Sequence, residues 1–138
     1  MTNDIILADT SVWIPFLRGS GVQFQERLAP LIMADRVATT PVIIMELLVG
    51  VKSEKEYDKL SKDLAALRLF DVSTKLWERA CKLGYTLRQK GLGVPLTDTL
   101  IAAVAIENKA HLLHNDRHYE MIATITSLNH EYLKPENQ

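Results

Sequence analysis

Four carboxyl side chains, Asp9, Glu46, Asp98 and Asp116, are candidates to act together. Asp9 ends the apolar run of residues 5–8, and Glu46 interrupts the apolar segment "VIIMELLVG". Asp98 opens a helical pattern after the loop "LGVPL", and Asp116 follows the strand-like stretch "HLLHN". Carboxylates gathered in one pocket repel each other and stay ionised together only when a cation neutralises them. An all-oxygen ligand set favours a hard ion, Mg²⁺ or alternatively Mn²⁺, over zinc. Such an ion polarises a phosphoryl oxygen and lowers the pKa of a bound water, and a pair of ions stabilises both attacking and leaving oxygens. The chemistry that fits this set is hydrolysis of a phosphodiester.

Each acid also has a structural reading. Asp9 is placed to cap a helix beginning near Ser11. Asp98 lies at a helix start, where the macrodipole favours an anion. Asp116 suits a turn after a strand. Glu46 is hardest to explain this way, because a buried glutamate without a partner is costly. The functional reading therefore rests on the set, and the set exists only if the fold brings residues 9, 46, 98 and 116 to one place.

The pattern of the chain supplies such a place. Short apolar runs at 5–8, 36–39, 68–72 and 111–114 read as strands, with a fifth at 128–133. Between them, helical patterns cover 11–17, 22–34, 40–50, 53–67, 73–91, 97–108 and 119–125. Pro15 is tolerated if it falls near the first turn of its helix, where amide donors lack partners. Thr40 followed by Pro41, and the serines before 53–67 and 73–91, are helix-start signals, and Gly91 is a terminator. In the helix over 97–108, Leu100, Ala103 and Val104 form the apolar side. Strands alternating with helices predict a three-layer α/β/α sandwich around a mostly parallel sheet of four to five strands. In such sheets ligands bind outside the carboxyl ends of the strands, where the strand order reverses. That edge is where all four acids are expected to meet.

The length of 138 residues suits one domain, over residues 1–133, followed by a polar tail at 134–138. Apolar residues make up 47% of the chain, enough for a core, and the net charge of −1 excludes nucleic-acid binding through bulk positive charge. The lone Cys81 excludes an internal disulfide or a cysteine zinc site, and its helical setting predicts a buried thiol. No signal peptide or membrane span is legible, so a soluble, cytoplasmic protein with no membrane association is expected. His111 and His114 are three apart on a strand and should face opposite sides, which argues against a shared ion. His118 is close to Asp116 in sequence.

Together "DTSVWI" (9–14), "ELLVG" (46–50), "PLTDTLIAAVA" (95–105) and "LLHNDRHY" (112–119) resemble the PIN-domain family, and within it the VapC-type ribonuclease toxins of bacterial toxin–antitoxin pairs. The resemblance implies a PIN-like fold and an acidic pocket for Mg²⁺ or Mn²⁺. It also implies endoribonuclease action on RNA, homodimers, and inhibition by a cognate VapB-like antitoxin. Asp9, Glu46 and Asp98 match the three family acids, Asp116 the more variable fourth, and Ser11 the small hydroxyl residue two places after the first. One position departs: family members often carry Thr or Ser two residues before the fourth acid, where this chain has His114. An acidic pocket that cuts RNA needs a basic rim, and Arg18, Lys52, Arg79, Arg88, Lys90 and Arg117 are candidates. Two other classes compete: a catalytically silent binding domain, and a phosphorylated receiver-like domain with Asp71 as acceptor. An aspartyl phosphatase wants a second acid where Ser11 stands.

Overall fold

The computed structural model describes residues 4–134. The elements follow in the order β1 (Ile6–Ala8), α1 (Thr10–Arg18), α2 (Val22–Met33), β2 (Val37–Thr39), α3 (Pro41–Val49), α4 (Glu54–Ala65), β3 (Arg68–Leu69), α5 (Thr74–Gln89), α6 (Leu96–Glu107), β4 (His111–His114), α7 (His118–Ala123) and β5 (His130–Tyr132). The five strands form one sheet in the order β3-β2-β1-β4-β5. Every pairing is parallel. The expected mostly parallel sheet is thus wholly parallel and five-stranded. All but Lys134 of the expected polar tail lies outside the described residues.

The topology dictates the layers. From β1 the chain steps outward to β2 and β3, then jumps back to β4 and steps outward to β5. Right-handed crossovers put the helices of the first set of steps on one face and those of the second on the other. Most helix contacts follow that division: α1 meets α2 and α3, and α3 meets α4, while α6 meets α5 and α7; α3 also touches α6. The central strands are therefore covered on both sides. Ile6, Leu7, Ala8, Leu112, Leu113 and His114 are all buried, which is why β1 reads as an unbroken apolar run. Among the described residues, no helix is long and apolar enough to cross a membrane.

Several local expectations are corrected. Cys81 is exposed, not buried. Leu76, Ala80 and Leu87 turn α5 inward, and Cys81, one residue past Ala80, points away with Trp77 and Tyr85. Helix α6 has no single apolar side: Thr99 through Ala105 are all buried. It is enclosed by α5, α7 and the sheet, and its small side chains permit that approach. Pro15 falls in the second turn of α1, not the first, and removes the donor that would reach the Ser11 carbonyl. Strand β3 has two residues where five were expected, and Asp71 beyond it is exposed. Strand β2 separates β3 from β1, so Asp71 is not beside Asp9 as a receiver-like acceptor would be.

The strands that carry the site are launched by tight helix ends. After α6, Lys109 N–H donates to the Ile106 carbonyl and Ala110 N–H to the Ala105 carbonyl. Asp35 and Arg36 repeat this after α2, with acceptors Ile32 and Leu31. This is the Schellman arrangement, which needs a left-handed residue at its centre. Gly91 fills that role after α5, but Lys109 (φ 52°) and Asp35 (φ 55°) adopt it with a Cβ. Lys109 is exposed. Lys109→Gly should therefore raise unfolding stability by about 1 kcal/mol, measured by denaturant titration. A loss of stability would contradict this account of the α6–β4 turn.

Candidate active site

Strands β1 and β4 run side by side, with Ala8 opposite Leu113. Asp9 continues the ladder by donating its N–H to the Leu113 carbonyl at 2.9 Å. Here the chain order reverses, β1 leading to one side of the sheet and β4 to the other, which opens a crevice at the strand ends. Asp9 and Asp116 leave the sheet into this crevice from adjacent strands.

Asp9 is only 4% exposed. Its Oδ2 accepts from Ser11 N–H at 3.0 Å and Ser11 Oγ at 2.6 Å, while Oδ1 accepts from the Tyr119 hydroxyl at 2.7 Å. The helix-cap reading of Asp9 is therefore right, and it leaves the carboxylate anchored at the mouth of the crevice. Ser11 does a second job: its Oγ accepts from Asn115 N–H at 2.8 Å. One hydroxyl thus ties the end of β1 to the loop after β4. Because its proton is given to Asp9, Ser11 is a brace here.

Asp98, in the first turn of α6, and Asp116 meet around His118. His118 Nδ1 lies 3.2 Å from Asp98 Oδ2 and 2.9 Å from Asp116 Oδ1. Asp116 Oδ1 also accepts from His118 N–H at 2.9 Å, which folds the loop into the start of α7. Asp98, Asp116 and His118 each offer a ligand atom within 4.8 Å of the others. Tyr119 links this trio to Asp9, since its hydroxyl stands 2.7 Å from Asp9 Oδ1 and 3.4 Å from Asp98 Oδ1. Glu46 stands apart from this trio. Its Oε1 accepts from Thr10 Oγ1 at 2.7 Å, one residue along from Asp9, and it lines a cleft of 650 Å³ with Arg18 and Lys52. That cleft touches none of the other three acids, so the distances between the carboxylates locate the centre.

Sequence reasoning missed Thr10 and Tyr119 and left His118 undecided. An i, i+1 neighbour of Asp9 and an aromatic inside a short helix carry no periodic signal. The departure at His114 now has a physical account. His114 is fully buried, its Nδ1 accepts from Asp116 N–H at 3.2 Å, and its Nε2 meets His130 Nδ1 at 2.8 Å. An acceptor at Nδ1 puts the proton on Nε2, so His114 donates to His130. The imidazole gives the Asp116 loop the same acceptor that a hydroxyl would. His111 lies away from it, 3.8 Å from Glu131. Of the expected basic rim, Arg18 and Lys52 reach the cleft, whereas Arg79 is engaged by Glu107.

The electrostatics match a cation site. Asp98 is 13% exposed at its side chain. Its carboxyl is pushed up to about 7, first by burial and then by the charges of Asp116 and Asp9. Among the described residues, no lysine or arginine pairs with Asp9, Glu46, Asp98 or Asp116. Burial and the His130 neighbour hold His114 down at about 4, so it adds no positive charge near neutrality. The burial of His118 Nδ1 without a hydrogen-bonding partner is a further sign of an unfilled coordination need. Asp98, Asp116 and His118, with Asp9 beside them, could hold a divalent ion.

These shifts fix a sign. Between about 4 and about 7 the folded chain retains the Asp98 proton that the unfolded chain has lost, so this group lowers stability as pH rises. His114 acts oppositely below its ordinary value, because the unfolded chain there binds the proton that the folded one excludes. In metal-free buffer, Asp98→Asn should therefore gain stability relative to the parent as pH rises from about 4 to about 7, read from urea midpoints. A difference that stays constant across that window would contradict the crowding of these acids.

The PIN domain family profile matches residues 6–125. Ribonuclease VapC11 of Mycobacterium tuberculosis is 30% identical over 134 residues, spanning 90% of this chain and 96% of the relative. Ribonuclease VapC5 of the same species is 35% identical over 117 residues, spanning 78% and 80%. In structure, VapBC2 from Rickettsia felis, solved bound to a DNA fragment from its promoter, superposes with a TM-score of 0.77 at 24% identity. That match covers 94% of this chain and 99% of that one, a likeness of fold. With the family profile spanning all but the last strand, and relatives of this identity along nearly the full length, the chain belongs to the PIN-domain family.

Proposed function

We propose that this chain is a divalent-metal-dependent endoribonuclease, the toxin of a toxin–antitoxin pair. The observation that carries the reading is the convergence of Asp98 and Asp116, with Asp9 beside them, at the β1–β4 crevice without a lysine or arginine partner. The relatives named ribonucleases supply the substrate class.

Asp98 and Asp116, with Asp9 beside them, would hold Mg²⁺, with Mn²⁺ as the alternative, and Glu46 would stand at the adjoining cleft. Once bound, such an ion supplies positive charge against a phosphoryl oxygen and makes a bound water a stronger acid. The chain's own residues do the rest. Tyr119 fixes one oxygen of Asp9 and Ser11 fixes the other. Thr10 orients Glu46 at the edge of the cleft. Arg18 and Lys52, on the cleft wall beside Glu46, meet the RNA phosphates, a contribution that weakens as salt rises.

The partner reading is drawn from neighbours solved as VapBC complexes. A cognate VapB-like antitoxin would lay a segment over the cleft. A basic side chain from it would pair with Glu46 or Asp98, as charge-assisted hydrogen bonds favour. The toxin would act as a homodimer in the cytoplasm.

The test is cleavage of RNA by the purified chain. EDTA should abolish it, and added Mg²⁺ or Mn²⁺ should restore it; full activity in EDTA removes the metal-dependent mechanism. Asp9→Asn keeps a helix-capping oxygen but loses the charge, so it should fold and cleave about 100-fold more slowly or worse. Expression of the parent should slow bacterial growth and expression of Asp9→Asn should not. Equal toxicity would take Asp9 out of catalysis.

A further inference from the structure

We infer that His118 is itself a ligand of the metal centre, giving a mixed nitrogen–oxygen set that favours Mn²⁺ over Mg²⁺. This rests on the metal-dependent reading above and adds to it a residue outside the acid set. The first observation is distance. Adjacent ligands of an octahedral ion with bonds of about 2.1 Å lie about 3.0 Å apart. His118 Nδ1 stands 2.9 Å from Asp116 Oδ1 and 3.2 Å from Asp98 Oδ2.

The second observation is direction. At those separations Nδ1 would be expected to hydrogen-bond to one of the carboxylates, yet it is buried and bonded to neither. The oxygens lie off the line along which a ring N–H donates. In an octahedral set, neighbouring ligands stand about 45° off each donor's lone-pair axis. Three atoms directed at a common point, not at one another, meet both conditions. The third observation is anchoring. The backbone N–H of His118 donates to Asp116 Oδ1 at 2.9 Å, so the ring and the carboxylate are fixed relative to each other before any ion arrives.

The consequence is selectivity. Carboxylates alone suit Mg²⁺ and Mn²⁺ alike, whereas imidazole nitrogen suits transition ions and is a poor ligand for Mg²⁺. A competing role is that a protonated His118 serves as a resident counter-cation, in which case it would leave or oppose an incoming ion.

Electron paramagnetic resonance of Mn²⁺ added to the tag-free full chain separates these roles. Bound Mn²⁺ should show nitrogen-14 modulation in the parent and lose it in His118→Ala and His118→Asp, both of which should still fold because the side chain is 28% exposed. In His118→Asp, Mn²⁺ should remain bound, and the preference for Mn²⁺ measured by Mg²⁺ displacement should fall about tenfold. Bound Mn²⁺ without nitrogen modulation in the parent overturns the His118 ligand and leaves the acid site standing. Modulation that persists in both variants likewise overturns it. Failure of the parent to bind Mn²⁺ overturns both readings.

Discussion

Carboxylates held closer than their charges allow are the constraint around which this structure is organised. Asp98 and Asp116 share His118 within 3.2 Å, and one tyrosine hydroxyl spans Asp9 and Asp98. In water such groups would separate or be screened. Here burial removes the water and the backbone removes the freedom to separate. The outcome is an Asp98 carboxyl that keeps its proton toward neutrality in the absence of a cation. The ordinary stabilising patterns of a fold would not leave such a cluster without a lysine or arginine partner.

What holds the acids together is mostly backbone and neutral side chains. The parallel pairing of β1 with β4 sets Asp9 and Asp116 on neighbouring strand ends. Ser11 bridges the two loops, and His114, neutral and buried, supports the Asp116 amide from below. Tyr119 is fully buried, packs against the His114 ring at 4.9 Å, and is held far from ionisation by burial and the acids around it. None of these supports carries a charge that would cancel the cluster. The scaffold fixes position and leaves a cluster that could bind a cation.

Much of this was legible in the sequence because periodicity and topology are legible. The unbroken apolar run before Asp9 announced a strand buried on both faces, and β1 is one. Thr40 and Pro41 marked a helix start correctly, although the Thr40 hydroxyl donates to the Phe70 carbonyl and accepts nothing from its own helix. The edges were least legible: β3 lost three of its expected residues, since an edge strand is defined by its partner's hydrogen bonds more than by its own composition. Cys81 was misplaced because one step along a helix turns a side chain by 100°. Within the site, the acids could be found because a buried acid is anomalous. Tyr119 and Thr10 could not, because a buried tyrosine or a helix-start threonine is ordinary until its hydroxyl is seen against a carboxylate.

The central claim is that crowding keeps a proton on the cluster until a cation replaces it. Calorimetric titration of Mg²⁺ at pH 6, repeated in buffers of different ionisation enthalpy, counts the protons released per ion bound. With Asp98 raised to about 7, the account predicts release of about one proton, because ligands must deprotonate to bind. Binding of Mg²⁺ with no proton released would contradict it.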